Sequence, residues 1–243
     1  CNMENKNNAG VDSTLYEDSI KQWFDDEKAG NEFIDVLGKL FYDKSVELIF
    51  YRQQLIDRSA SIILYKHSFV YTVIGKKLNI QDSLELARAI CKIDLPPTKI
   101  DIGRLNREWT EEKQKHDNDY KKFVGAKLKH IIGQPPKFTE PVDVVLFGFG
   151  RIGRLLLREF IIQGNGTQLR PRAIVTRKVS PDEISKRASL IRHDSIHGPF
   201  RGNVIEDVEN SCIYINGHLI KMIEGPDPSK IDYEAYGIKN AIL

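Results

Sequence analysis

The sequence has little of what an exported or membrane-embedded chain needs. It holds three cysteines, Cys1, Cys91 and Cys212. Odd in number and far apart, they argue against a disulfide framework and fit a reducing cytoplasm. No apolar run approaches the ~20 residues needed to cross a bilayer. The richest stretch, Ser61 to Ile74, is broken by Lys66 and His67 and reads as a core helix. The polar start, Cys1-Asn2-Met3-Glu4-Asn5-Lys6, has no apolar signal-peptide centre. It also has no leading Met and reads as processed or engineered. Charge of one sign is lacking too. Lys and Arg number 36 against 34 Asp and Glu, a net +2 that implies no field for nucleic acid or a membrane surface.

What is present suits a globular cytoplasmic protein. At 243 residues the chain is long enough for two domains, since domains run at roughly 100–200 residues. Hydrophobic residues make up 41% and charged residues 29%, which excludes a disordered composition. From Ser13 to Ile132 the pattern predicts helix throughout. Leu15, Ile20, Trp23 and Phe24 recur at helical spacing, as do Phe33, Ile34, Leu37, Leu40, Phe41 and Leu48. A further amphipathic segment runs from Asp82 through Leu84, Leu86 and Ile90, and Pro96-Pro97 then breaks the chain. Ile102, Leu105 and Trp109 share one face of another helix. A last helix, Tyr120 to Ile132, is expected to stop at Gly133. This half shows no internal repeat and no nucleotide-binding or metal-ligand spacing.

Gly133 to Pro141 reads as a linker, and the pattern changes after it. Domains are therefore expected at 1–138, helical, and 139–243, α/β. Val142 to Phe147 has strand length and Ile152 to Ile162 is helical. Gly164-Asn165-Gly166 makes a turn, and Arg172 to Thr176 is a second strand. Ser180-Pro181-Asp182-Glu183 opens another helix with a capping box. This alternation predicts a parallel sheet with crossover helices. Ser211 to Ile215 and Leu219 to Ile223, joined by Asn216-Gly217, predict a tight hairpin.

Between the first strand and its helix lies Gly148-Phe149-Gly150-Arg151-Ile152-Gly153, a G-x-G-x-x-G in strand–turn–helix context. The first glycine permits the tight turn, the second lets backbone approach a pyrophosphate, and the third lets helix and strand pack closely. Unpaired amides at the helix start then face the phosphates. The second strand ends Ile174-Val175-Thr176-Arg177-Lys178, without the carboxylate that usually holds the ribose 2′-hydroxyl of NAD. A cation there suits the 2′-phosphate of NADP, which a guanidinium can grip through two parallel hydrogen bonds. The alternative is a solvated strand end with the ribose held by backbone. The expected cofactor is NADP or NAD.

Gly148 to Arg154 resembles the opening signature of the glyceraldehyde-3-phosphate dehydrogenases. His193-Asp194-Ser195-Ile196-His197-Gly198-Pro199-Phe200-Arg201-Gly202 resembles that family's D-S-x-H-G-x-x-x-G segment. Ile215 to Lys221 resembles its I-N-G-x-x-I hairpin, and Asp227-Pro228-Ser229-Lys230-Ile231 its D-P-x-x-I. Segments of the helical half from Ser68 onward, Asp101-Ile102-Gly103-Arg104-Leu105 among them, are similar to a long-chain form with an N-terminal helical extension. So is the stretch from Arg177-Lys178 through Lys186-Arg187-Ala188-Ser189-Leu190.

The resemblance implies an α-helical N-terminal domain followed by a partial Rossmann-type NAD(P)-binding domain. It further implies the N-terminal part of a phosphorylating dehydrogenase of glycolysis and gluconeogenesis that acts on glyceraldehyde 3-phosphate as a homotetramer. Gly148, Gly150, Arg151, Ile152 and Gly153 would take the pyrophosphate, and Thr176 and Arg177 the adenosine ribose or its phosphate.

Some of the family pattern is missing. The S-C-T-T-N that carries the nucleophilic cysteine is absent, so no catalytic residue is assigned and this stretch alone is expected to be inactive. Cys212, followed by Ile213-Tyr214, reads as a strand residue and Cys91 as core. His193 and His197 lack further ligands at metal-site spacing. Phe147 stands where the family has Asn, and Pro226 where it often has Arg. Ala241-Ile242-Leu243 reads as the inside of a strand, so the parent protein is expected to continue. The rival reading is a non-catalytic dinucleotide sensor or an oligomerisation module.

Overall fold

Short polar side chains set most of the helix starts in the first half. Ser59, Asn79, Asp101 and Asp119 each accept a first-turn amide, from Ile62, Gln81, Arg104 and Lys121 respectively. The computed structural model describes residues 13–136, 140–164, 168–194 and 198–239, without the side chains of Ser13 and Val73. Cys1, Asn165-Gly166, Ser195-Ile196-His197 and Ala241 to Leu243, all read above, lie outside the described residues. The chain divides into two compact units, Cys1–Lys137 and Phe138–Leu243.

In the first unit, α1 (Ser13–Gly38) passes into a π-helical turn, Lys39–Asp43. Then come β1 (Val46–Phe50), β2 (Gln53–Gln54), α2 (Ala60–Ile74), α3 (Ile80–Cys91) and β3 (Thr98–Asp101). After these follow α4 (Ile102–Glu112), a 3-10 turn at Lys113–His116 and α5 (Tyr120–Leu128). Phe33, Leu40, Phe50, Ile63, Leu86, Ile90, Ile102 and Phe123 fill one core.

Within that core His67 is buried. Its Nδ1 lies 2.8 Å from the Ile63 carbonyl, which can only accept, so Nδ1 carries the proton. Nε2 is then left to accept from the Ser83 hydroxyl at 2.8 Å, and Ser83 Oγ in turn accepts from Asn106 Nδ2.

The expectation of unbroken helix from Ser13 to Ile132 fails at a three-stranded sheet of order β2-β1-β3. β1 runs parallel to β3, with Val46 opposite Thr98 and Ile49 opposite Asp101. Leu48, counted in the helical stripe, is a strand residue. A five-residue segment with four apolar residues and Glu47 cannot be told from a helix segment by periodicity, and its partner lies about fifty residues on. Leu15, Trp23 and Phe24 keep helical spacing but are exposed, and α1 buries a face only from Ala29 onward. The last helix stops at Leu128 rather than Ile132, and Gly133 takes the left-handed φ of +69° after a turn.

Asp101 and Gly103 have a clear physical task. Tyr51 and Arg52 form the two-residue β1–β2 turn with φ of +47° and +68°, which side chains resist. Asp101 accepts from Tyr51 N at 3.0 Å while capping α4 at Arg104 N. At Gly103 a Cβ would stand 2.8 Å from the Tyr51 ring, so only glycine admits that ring.

The second unit runs β4 (Val142–Phe147), α6 (Arg151–Gln163), β5 (Leu169–Thr176) and α7 (Pro181–Arg192). Two-residue strands β6 (His193–Asp194) and β7 (Gly198–Pro199) pair with each other. β8 (Val204–Asp207), β9 (Cys212–Ile215) and β10 (His218–Glu224) follow. The main sheet has the order β4-β5-β10-β9-β8. β4, β5 and β10 are parallel, so their carboxyl ends share one rim. The hairpin forms as expected, with Asn216 and Gly217 at φ of +46° and +83°. Ser180 caps Glu183 N, but the Glu183 carboxylate turns to Lys186 and Arg187 instead of back to the cap.

Leu157 and Ile161 of α6 and Ile184 and Ile191 of α7 pack with Leu146, Ile174, Ile213 and Ile220. A smaller cluster holds Val145, Ala173, Val175 and Ile223 with Ile238. Asp143, fully buried, is satisfied by Arg170 at 2.7 Å and the Lys239 amide at 3.0 Å. Among the described residues no helix is long and apolar enough to cross a membrane.

Candidate functional site

The rim at the carboxyl ends of β4, β5 and β10 is built around the glycine turn. Gly148 N donates to Val175 O at 2.9 Å, which ties the turn to β5. Gly148 has φ of +81°, a conformation for glycine. Phe149 is buried and anchors the turn. Gly150 is the N-cap of α6, with no side chain capping the helix and no acid in its first turn. A Cβ at Gly150 would meet nothing within 4 Å, so the backbone there is open. A Cβ at Gly153 would stand 2.9 Å from the Gly148 carbonyl oxygen, so this residue sets how closely turn and helix approach. Arg151 and Ile152 are exposed.

Gly148, Gly150, Arg151, Ile152 and Gly153 thus come together around an uncapped helix start. Its free amides and the positive end of the helix dipole suit an anion. Two phosphates of a dinucleotide fit this donor set and the open backbone.

Beside it, β5 ends at Thr176, which is buried with Oγ1 donating to Lys178 O at 3.0 Å. The hydroxyl is committed within the loop. Arg177 and Lys178 are exposed. Glu224 escaped the sequence reading. It ends β10 opposite Thr176, and its Oε2 accepts from Val179 N at 2.8 Å. Gly225 N donates to Thr176 O at 3.0 Å. A carboxylate does stand on this rim, on the neighbouring strand. Only the parallel pairing of β5 with β10 places it there.

Two arginines one helical turn apart on α6 hold the second motif. Arg158, buried, donates to Ile191 O at 2.7 Å and Gly198 O at 3.1 Å and lies over the Phe200 ring. Arg154 pairs with Asp194 at 3.4 Å. At Gly202 a Cβ would meet the Asn216 side chain at 2.5 Å, and Asn216 Oδ1 accepts from Asn203 N. The described part of this motif therefore carries packing and loop structure.

Cys212 is a buried strand residue whose thiol donates to Asn210 O at 3.2 Å, and burial pushes its pKa up. Burial does the same at Cys91. Neither is an activated nucleophile. No group of three or more His, Cys, Asp or Glu among the described residues could hold a metal.

The fold and the turn together define a Rossmann-type dinucleotide-binding unit. Residues 142–242 match the family described as "Glyceraldehyde 3-phosphate dehydrogenase, NAD binding domain". The chain is 38% identical over 214 residues to a glyceraldehyde-3-phosphate dehydrogenase-like protein of Pseudomonas aeruginosa (strain UCBPP-PA14), covering 86% of this chain and 46% of that one. It is 37% identical over 95 residues to glyceraldehyde-3-phosphate dehydrogenase of Thermotoga maritima, covering 39% of this chain and 26% of that one. With glyceraldehyde-3-phosphate dehydrogenase 2 of Agaricus bisporus the identity is 31% over 96 residues, 40% of this chain and 26% of the other. The chain is therefore glyceraldehyde-3-phosphate dehydrogenase-like and contains that family's dinucleotide-binding domain. It spans about half the length, or less, of these relatives.

Proposed function

We propose that this chain is the dinucleotide-binding front part of a phosphorylating, NAD(P)-dependent glyceraldehyde-3-phosphate dehydrogenase. The helical extension occupies 1–138 and the nucleotide domain 139–243. The uncapped start of α6 behind the Gly148 and Gly153 turn carries this reading. The amides of Arg151, Ile152 and Gly153 bind the pyrophosphate, and Gly150 lets it approach. The Thr176 backbone borders the adenosine ribose, and Arg177 grips its 2′-phosphate when NADP is bound. The nicotinamide supplies hydride chemistry. This chain supplies binding and orientation, and no residue of it attacks the substrate. Glyceraldehyde 3-phosphate is the substrate of the whole protein, which works as a cytoplasmic homotetramer.

Arg177→Ala should weaken NADP binding about tenfold and leave NAD within about twofold, since a charge-assisted pair to phosphate is lost. Calorimetric titration of both dinucleotides checks this. An NAD affinity above that for NADP in the wild type would sink the Arg177 assignment.

A further inference from the structure

The loop Arg177-Lys178-Val179, which carries both cations of the second strand's end, is pinned from the next strand. Glu224 is the pin. β10 lies parallel to β5 with Glu224 opposite Thr176, and Glu224 Oε2 accepts from Val179 N at 2.8 Å. Two further bonds complete the fastening, Thr176 Oγ1 to Lys178 O and Gly225 N to Thr176 O, both 3.0 Å. Gly225 holds the strand side of the loop, whereas Thr176 and Glu224 grip the Lys178–Val179 peptide from its two sides, Thr176 at the carbonyl and Glu224 at the N–H. Glu224 is the grip supplied from the neighbouring strand, and Val179 is the residue before the α7 cap at Ser180.

We infer that Glu224 is a positioning residue for cofactor selection: by holding Val179 it fixes the Arg177-Lys178 loop against the sheet rim, and so sets the ratio of NADP to NAD affinity. The inference rests on the dinucleotide reading above. A loop held in place before binding keeps its entropy cost out of the binding step. The 2′-phosphate meets this loop, whereas the pyrophosphate meets the α6 turn, so release of the loop separates the two cofactors. The role is that of a hydrogen-bond acceptor at a fixed reach. A glutamine oxygen can fill it, while an aspartate is one methylene too short.

The test is calorimetric titration of NAD and NADP into the whole chain as wild type, Glu224→Ala, Glu224→Asp and Glu224→Gln. The ratio of the two affinities should move about fivefold in the alanine and aspartate variants. It should stay within about twofold of wild type in the glutamine variant. Glu224 is exposed at a strand end, and a thermal melt of each variant checks that the fold is kept.

An unchanged ratio in Glu224→Ala overturns the inference, as does an equal loss for both dinucleotides. A glutamine variant that behaves like alanine also overturns it, because charge rather than the hydrogen bond would then be responsible. A wild type that binds neither dinucleotide fails the underlying reading instead. A wild type that favours NAD, with a ratio that still moves in Glu224→Ala, refutes the Arg177 assignment and leaves Glu224 in its role.

Discussion

Gly153→Val should bind both NAD and NADP at least about a hundredfold more weakly than the wild type. Already a single added carbon would sit 2.9 Å from the Gly148 carbonyl oxygen, and valine adds two more. That oxygen is backbone in a turn tied to β5 through Gly148 N, so it cannot swing aside as a side chain could. Turn and helix must separate, and the amides of the first turn leave the positions from which, on the proposed reading, they bind the phosphates. Each charge-assisted bond lost there costs about 1.5–3 kcal/mol, so one or two account for the predicted factor. Gly125→Ala is the matched control, because a Cβ there, in α5, meets nothing within 4 Å. Undiminished binding by the valine variant would show that the close packing of turn and helix does not shape the phosphate site.

The second large effect concerns acid and belongs to the helical unit. Burial pushes the His67 pKa down from 6.5 to about 4, because the ring is enclosed between Phe33 and Phe50 and a charge there loses water. The folded pKa lies below the unfolded one, so the unfolded chain takes up the proton first. Stability from this group is complete above about pH 6.5 and is lost as pH falls toward 4. The loss should reach about 2 kcal/mol between pH 7 and pH 5, and about 3 kcal/mol by pH 4.

The two tryptophans, Trp23 and Trp109, both lie in this unit, so denaturant titrations followed by tryptophan fluorescence report on it alone. Keeping to pH 7–5 separates the effect from the carboxylates, whose ordinary pKa values lie lower. His67→Gln should flatten the dependence. An equally steep fall in that variant would place the sensitivity elsewhere.

How much of this could be read from the residues depended on how far apart the interacting parts lie. β4 was expected with the bounds it has, and the hairpin came within a residue or two. Alternation, Asn-Gly and a glycine after a strand are all local signals. The glycine turn was legible for the same reason, since its three glycines span six positions. β1 was not legible. It pairs with a segment about fifty residues on, and Val46 to Phe50 carries no signal of that partner. The exposed Trp23 and Phe24 misled because spacing shows that residues share a face, never that the face is covered. Glu224 was missed because its place beside Val179, 45 positions away in the chain, comes from strand order.

The sheet's two rims also differ in how they can change over time. The turn at Gly148, the loop at Arg177 and the end of β10 at Glu224 gather on one of them, while Asn216-Gly217 turns the chain at the other. A duplication or loop exchange at the hairpin would alter how quickly its two strands find each other, without moving an atom of the glycine turn. On the proposed cofactor reading, lengthening the Arg177 loop would do the reverse, leaving assembly of the hairpin untouched while changing which cofactor is accepted. Mutational histories of folding and of recognition can therefore run separately within one small sheet.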